Sequence, residues 1–279
     1  MTTDYSAWVG KTEESDDFIA LAPTLAAAAM LDDTTTRFAD GAALPPLWHW
    51  FYFLPKAPQS KIGVDGHPQR GGFMPPIELP RRMFAGARLR FLEPLRVGDV
   101  AHRVSTIRDV QVKEGKTGRL AFVTVKQAIS QQGRVCIEEE QDIVYREPGA
   151  RVAPPPTVEL PPPPAGSWTR TVKADPVLLF RFSALTFNAH RIHYDRDYAT
   201  QEEGYPGLVV HGPLTAVLLL ELVRFNARRR VAAFSFRGQA PLFDLAPFRL
   251  IAVPQDATVQ LEAQGPDGKV TLAAQAELG

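Results

Sequence analysis

The sequence predicts an α+β protein built from two similar halves, each a helix followed by an antiparallel meander of strands. Three observations carry that expectation. A proline-rich segment divides the 279 residues into 1–147, 148–166 and 167–279. On each side of it a helix candidate leads into runs with period-2 alternation. An internal echo links the halves: Arg90 to Asp99 and Phe236 to Asp244 both place Pro-Leu and an aspartate just before the next strand candidate.

In chain order, Phe18 to Asp32 reads as a helix with an alanine-rich centre. Asp16 or Asp17 would cap it, and Pro23 fits its first turn. Leu44 to Pro55 is densely aromatic, as either core packing or the apolar wall of a ligand pocket would require. Asp65 to Pro80 is rich in Gly and Pro, a long loop of the kind that often serves as a lid or binding segment. Strand patterns follow at Leu89–Phe91, Val100–Val110, Leu120–Ile129 and Arg134–Tyr145, with a hairpin turn over Lys113–Gly118. The single cysteine, Cys136, alternates with Val135 and Ile137 and reads as a buried strand position.

Pro148, Pro154–Pro156 and Pro161–Pro164 exclude helix and central strand from the middle segment, which favours extended polyproline II geometry. Beyond it lie a strand candidate at Trp168–Val172 and an apolar helix from Pro213 to Asn226. Strands are expected at Ala232–Arg237, Phe248–Val253, Thr258–Ala263 and Val270–Ala276, with Gly265–Gly268 as a hairpin turn. One central helix wrapped by an antiparallel sheet, present twice, is the double hot-dog plan.

Composition narrows the function. Lysine plus arginine balances aspartate plus glutamate, 31 against 31, so there is no electrostatic footprint for nucleic acid or an anionic membrane. One cysteine excludes an internal disulfide framework and fits a reducing cytoplasm. No basic, then apolar, leader opens the chain, and the most apolar stretch, Leu208 to Val223, carries His211 and Glu221. The expectation is a cytoplasmic protein whose partner is a small molecule.

The chemistry concentrates between Phe180 and Asp195. Asp195 would cap a short helix over 196–203, with Gly204 as its C′ residue, which leaves Asn188, His190 and His193 on an irregular segment. His193 is the natural general acid/base, since imidazole titrates near neutrality. Downstream, Gly212-Pro213 puts glycine at an N-cap and proline at N1 of a helix apolar nearly all round. The Gly212 N–H at that helix start suits a developing oxyanion.

His190 and His193 have H-x-x-H spacing, but one nearby carboxylate and no cysteine argue against a metal. Arg191 could pair a substrate carboxylate or be a solvated surface residue, with Arg70, Arg81 and Arg82 as competitors. His211 reads as a structural residue at the helix start or as a binding residue.

His193-Tyr194-Asp195 together with Gly207-Leu208-Val209-Val210-His211-Gly212 resembles the MaoC-like hydratase/dehydratase signature, S-G-D-x-N-P-x-H-x-D followed by a P-I-x-H-G turn. On that resemblance His193 takes the catalytic histidine, His190 the asparagine, Asn188 the catalytic aspartate, and Gly212 the glycine whose amide holds the thioester carbonyl. Thr186 to Asp195 is similar to a narrower branch, the mesaconyl-CoA and itaconyl-CoA hydratases related to type 2 hydroxyacyl-thioester dehydratases. Leu44 to Pro55, Gly71 to Pro76, Pro80 to Gly86 and Glu139 to Glu147 agree with that branch.

The resemblance implies addition of water to the α,β double bond of an acyl-CoA, or its removal, with no cofactor because CoA is part of the substrate. Mesaconyl-CoA is the leading substrate, and itaconyl-CoA or an R-specific enoyl-CoA on a fatty acyl chain is the alternative. His193 would take a proton from water and return one to the α carbon, with Asn188 orienting the water, Gly212 holding the enolate oxygen and Asp195 orienting His193 or only capping its helix. His190, Arg191 and His211 are the substrate-binding candidates. Arg228-Arg229-Arg230 would complement a helix dipole or meet CoA phosphates. The first half has no equivalent of Asn188 and His193 and is expected to supply pocket wall, and a homodimer is the expected assembly. Two other classes compete: a hot-dog thioesterase, for which Glu221 is the candidate carboxylate, and a non-catalytic thioester-binding module.

Overall fold

The computed structural model describes residues 4–115 and 118–279, so the tip of the expected turn at Lys116-Thr117 lies outside the described residues. Ten strands form one antiparallel sheet. The first half contributes β1 (Thr12–Phe18), β2 (Arg81–Phe91), β3 (Val100–Gly115), β4 (Gly118–Gln131) and β5 (Arg134–Arg146). The second contributes β6 (Trp168–Val172), β7 (Val231–Gly238), β8 (Phe248–Gln255), β9 (Thr258–Gln264) and β10 (Val270–Leu278).

The order across the sheet is β1-β3-β4-β5-β2-β7-β10-β9-β8-β6. Read outward from the centre, the two halves have the same topology. They join where β2 and β7 pair antiparallel from Gly86↔Arg237 to Arg90↔Ala233. The Arg90 and Phe236 echoes therefore begin on equivalent strands, and Leu95 and Leu242 of the shared Pro-Leu are both buried.

Three helices accompany the sheet: α1 (Leu21–Leu31), α2 (Pro176–Thr186) and α3 (Gly212–Asn226). Every residue of α3 from Leu214 to Val223 is buried, as its all-round apolar sequence requires. Its N-cap is His211, with Gly212 and Pro213 in the first turn, so the expected cap shifts by one residue.

Two elements differ from the sequence expectation. Helix α1 starts at Leu21 rather than Phe18, because residues 12–18 form an edge strand beside β3. Asp16 and Asp17 do not cap it; Asp16 meets His102 Nδ1 at 2.8 Å and Asp17 accepts the Phe53 N–H at 2.6 Å. Largely exposed and acidic (Thr-Glu-Glu-Ser-Asp-Asp-Phe), β1 has no apolar/polar alternation in its sequence, and its charge suits an unpaired sheet edge. Helix α2 has no counterpart in the sequence expectation. Asp175 caps it by accepting the Leu178 N–H at 3.0 Å, and Pro176 occupies N1.

The first half has a reduced counterpart of α3. In chain order its place falls to a 3-10 turn, Trp48–Phe51, bracketed by Pro45-Pro46 and Pro55, which stop helix growth in either direction. Its Trp50 ring lies edge-on to Phe84 and Phe236, and Trp48 donates to Glu221 of α3 at 3.0 Å. The aromatic stretch is thus core.

Residues 147–164 form neither helix nor strand and lie against the second half. Val152 N–H bonds to the Gly204 carbonyl at 2.8 Å, and Arg249 donates to the Pro161 carbonyl at 2.7 Å. Cys136 is buried in β5, where burial raises its thiol pKa. No described helix is long and apolar enough to cross a membrane.

Candidate active site

The end of α2 sets the site. Its last residue is followed by Phe187 in the left-handed region (φ 48°), an unusual conformation for a bulky residue that costs about 1 kcal/mol. That reversal lets Asn188 N–H bond to the Ser183 carbonyl at 2.8 Å. The Asn188 Oδ1 then accepts the His190 N–H at 3.0 Å. Because the amide oxygen closes this turn, the Nδ2 group is the end of Asn188 left for a ligand.

The next residues form a short 3-10 turn, Arg191–His193, and Asp195 caps the following helical segment by accepting the Tyr198 N–H at 3.0 Å. Gly204, with φ 71°, ends that segment as expected. The carboxylate of Asp195 also takes two N–H groups of Arg191, at 3.0 and 2.7 Å, so Asp195 is a cap and an ion-pair partner with no bond to His193. The Arg191 guanidinium further donates to the Val64 carbonyl and covers the Tyr198 ring. It is therefore engaged in holding chain segments together.

Four of the chain's six histidines gather here. His193 stacks on His211 with ring centroids 3.6 Å apart, His190 meets His193 edge-on at 5.4 Å, and His67 covers His190 at 4.1 Å. His190, His193 and His211 are buried. The His193 Nδ1 lies 2.7 Å from the Val209 carbonyl, which can only accept, so the proton sits on Nδ1 and Nε2 is the free base. Burial lowers the His193 pKa to about 4, against the opposing pull of that carbonyl. Burial and the neighbouring imidazoles His67 and His193 lower His190 to about 2, and burial drives His211 well below its ordinary value. All three are neutral at pH 7.

His211 is fixed by Ser183, whose Oγ lies 2.9 Å from Nε2. It stands behind His193 as part of its support. As N-cap of α3 it also brings Gly212 next to the column, and the Gly212 N–H meets no acceptor among the described residues. A β carbon on Gly212 would lie 3.8 Å from the Phe84 carbonyl, so β2 borders this helix start.

His67 is the site residue that the sequence reading missed. It belongs to the Gly/Pro-rich loop of the first half, and its Nδ1 lies 3.0 Å from Asp65 Oδ2, while Asp65 Oδ1 accepts the His67 N–H at 3.0 Å. The loop is clamped to the segment that follows α2: Arg191 N–H bonds to the Asp65 carbonyl at 2.9 Å. A β carbon on Gly66 (φ 92°) would fall 1.7 Å from the Ala189 carbonyl oxygen. Only glycine permits that approach. The Asp-Gly-His triplet in a long loop was the available signal.

Donor atoms of Asp65, His67 and His190 lie within 4.8 Å of one another, a set that could hold a divalent ion. Asp65 is already engaged by the imidazole and backbone of His67, bonds that an ion would have to replace.

Of the other arginines, Arg70 donates to the carbonyls of Ile77, Leu79 and Pro80, and Arg81 pairs with Glu203 at 3.0 Å. Arg229 and Arg230 donate to the Leu278 and Phe91 carbonyls. Arg82 has no hydrogen-bond or ion-pair partner among the described residues, and its positive charge acts on both His67 and His190. Glu221 is buried and held by Trp48 and Arg224, the latter also bound to Asp33 at 2.7 Å.

A two-half hot-dog sheet with a neutral imidazole beside a free helix-start N–H is an arrangement that suits the hydro-lyases of acyl thioesters. The chain belongs to the hydroxyacyl-thioester dehydratase type 2 family, which matches residues 47–244. It is 63% identical over 278 residues to mesaconyl-C(4)-CoA hydratase of Chloroflexus aurantiacus, covering 100% of this chain and 99% of that protein. Among solved structures, HtdX of Mycobacterium tuberculosis superposes with a TM-score of 0.70 at 18% identity, over 96% of this chain and 100% of that one. A second protein of that organism, described as a double hot-dog fold, gives 0.60 at 14% identity over 97% and 96%.

Proposed function

We propose that this enzyme hydrates the C4 thioester of mesaconyl-CoA to citramalyl-CoA, or runs the reverse dehydration. The observation that carries the reading is His193, a neutral imidazole fixed through Nδ1 with Nε2 free, stacked on the residue that precedes Gly212. The full-length identity to a mesaconyl-C(4)-CoA hydratase supports this acyl group.

His193 Nε2 takes a proton from water as the oxygen bonds to the β carbon, and the Asn188 Nδ2 group orients that water. The electron pair of the double bond moves to the thioester oxygen, where the Gly212 N–H stabilises the enolate. The α carbon then takes up a proton. The substrate's second carboxylate needs a cation, and Arg82 is the site arginine not engaged elsewhere among the described residues. No cofactor is required, because CoA belongs to the substrate.

In this reading residues 167–279 carry the catalytic segment, 1–147 wall the pocket and 148–166 connect them. A homodimer belongs to the same reading, supported by exposed Val177, Phe180 and Phe187 at α2. Light scattering at the monomer mass would remove that part.

The test is loss of enoyl absorbance from mesaconyl-C4-CoA, run beside itaconyl-CoA and crotonyl-CoA. His193→Ala should lower kcat/KM by about 10²–10⁴-fold. Near wild-type turnover in that variant would sink the role of His193. Preference for crotonyl-CoA would replace the dicarboxylic reading with an R-specific enoyl-CoA hydratase, and release of free thiol would mark a thioesterase.

A further inference from the structure

The chemistry asked of His193 creates a positive charge in a buried place. His193 donates to a neutral carbonyl, His211 shares a hydrogen bond with a serine, and the His190 ring touches the imidazoles of His67 and His193 with no hydrogen bond of its own among the described residues. None of these three bonds a carboxylate.

The fourth histidine does. Asp65 grips His67 through both Nδ1 and the backbone N–H, and the His67 ring lies on His190, which abuts His193. The contact between the halves is built for closeness, since Gly66 touches the Ala189 carbonyl where any side chain would collide. The charges acting on His67 and His190 are Asp65 of the same loop, Arg70 of that loop, Arg82 of β2 and the column's own imidazoles. Asp65 is the negative one among them.

We propose that Asp65, held by His67, is the active-site carboxylate of this enzyme, supplied by the first half to offset the charge that His193 gains. Asp65 is a positioning and electrostatic residue that acts through the contacting imidazoles of His67 and His190. The proton taken from water rests on His193 Nε2, the imidazolium is stabilised by the Asp65 carboxylate across His67 and His190, and the proton is returned to the α carbon. Every group ends in its starting state.

This inference rests on the reading of His193 as the base, and the experiment separates the two. Asp65→Asn removes the charge and keeps one acceptor oxygen for the His67 backbone N–H, while its NH2 group faces Nδ1 as a donor and is met by the other His67 tautomer. It should lower kcat on mesaconyl-C4-CoA by about 10- to 100-fold with KM within about threefold and an unchanged circular dichroism spectrum. Adding Asn188→Asp to that variant returns a carboxylate to the site from the other side and should recover about tenfold in kcat. A merely structural Asp65 would give no such rescue.

The proposal is overturned if Asp65→Asn stays within about twofold of wild type, or if it is slow and Asn188→Asp brings nothing back. If Asp65→Asn fails to fold, Asp65→Glu decides: it keeps the charge and must retain more activity than Asp65→Ala. A His193→Ala variant with near wild-type turnover would instead strike the underlying reading, whatever Asp65→Asn does.

Discussion

At the scale of single residues, Asn188 is the informative departure. Its Oδ1 closes the turn onto His190, a task that an aspartate performs equally well. Asn188→Asp therefore keeps the turn and exchanges the Nδ2 donor for a charged acceptor. A carboxylate beside neutral imidazoles favours their protonated forms, so the acid limb of kcat/KM, which the proposed base His193 would set, should move to higher pH than in the wild type. A pH–rate profile in which that limb stays put would mean that position 188 does not face the histidines. The candidate residues 188, 193 and 212 could be picked out from one short motif because helix starts, turns and imidazole chemistry are local. Asp65 and His67 could not, since their partner segment lies more than a hundred residues away and nothing in local spacing reports it.

At the scale of elements, the sequence was legible where one face of a strand meets the core and where a helix is buried all round. Strands β3, β4, β5 and β7 to β10 and helix α3 all fall where alternation or continuous apolarity places them. The misses share a cause. Strand β1 is an edge, α2 carries exposed Val177 and Phe180, and the Trp48–Phe51 turn is fixed by prolines and by partners in the other half. In each, tertiary surroundings decide what periodicity cannot.

Helix α3 also answers the question of Glu221. Its carboxylate accepts from Trp48 Nε1 and from Arg224, far along the helix from Gly212. Glu221→Ala would leave the Trp48 N–H and one side of Arg224 unpaired in the core, costing about 2–4 kcal/mol. The midpoint of thermal unfolding should fall by roughly 5–10 °C while kcat of the folded enzyme stays within about twofold. A large loss of kcat without loss of stability would return Glu221 to the chemistry.

At the scale of the whole molecule, the histidine column ties stability to the same buried contact that joins the halves. Burial lowers the pKa of His67, His190, His193 and His211, with Asp65 opposing the shift at His67. In the unfolded chain each would titrate near 6.5. Their folded values lie lower, so the neutral column contributes its full stability above about pH 6.5 and loses it as the pH falls from there toward 4. Within that window the unfolded chain binds protons that the fold does not. Each such histidine contributes a slope of about 1.4 kcal/mol per pH unit, an effect that several residues together make large. Burial disfavours the Asp65 carboxylate, but the hydrogen bonds and charge of His67 outweigh it and keep the pKa below the usual range. That carboxylate adds its own loss only at lower pH still. Thermal unfolding midpoints measured from pH 7.5 to 4.5 should therefore drop steeply below about 6.5. His190→Gln, which removes one titrating group, should flatten that dependence even if it lowers the midpoint at pH 7.5. A midpoint flat down to pH 5 would mean that the imidazoles are solvated in the fold, and with that the low-dielectric column on which the role of Asp65 depends would be gone.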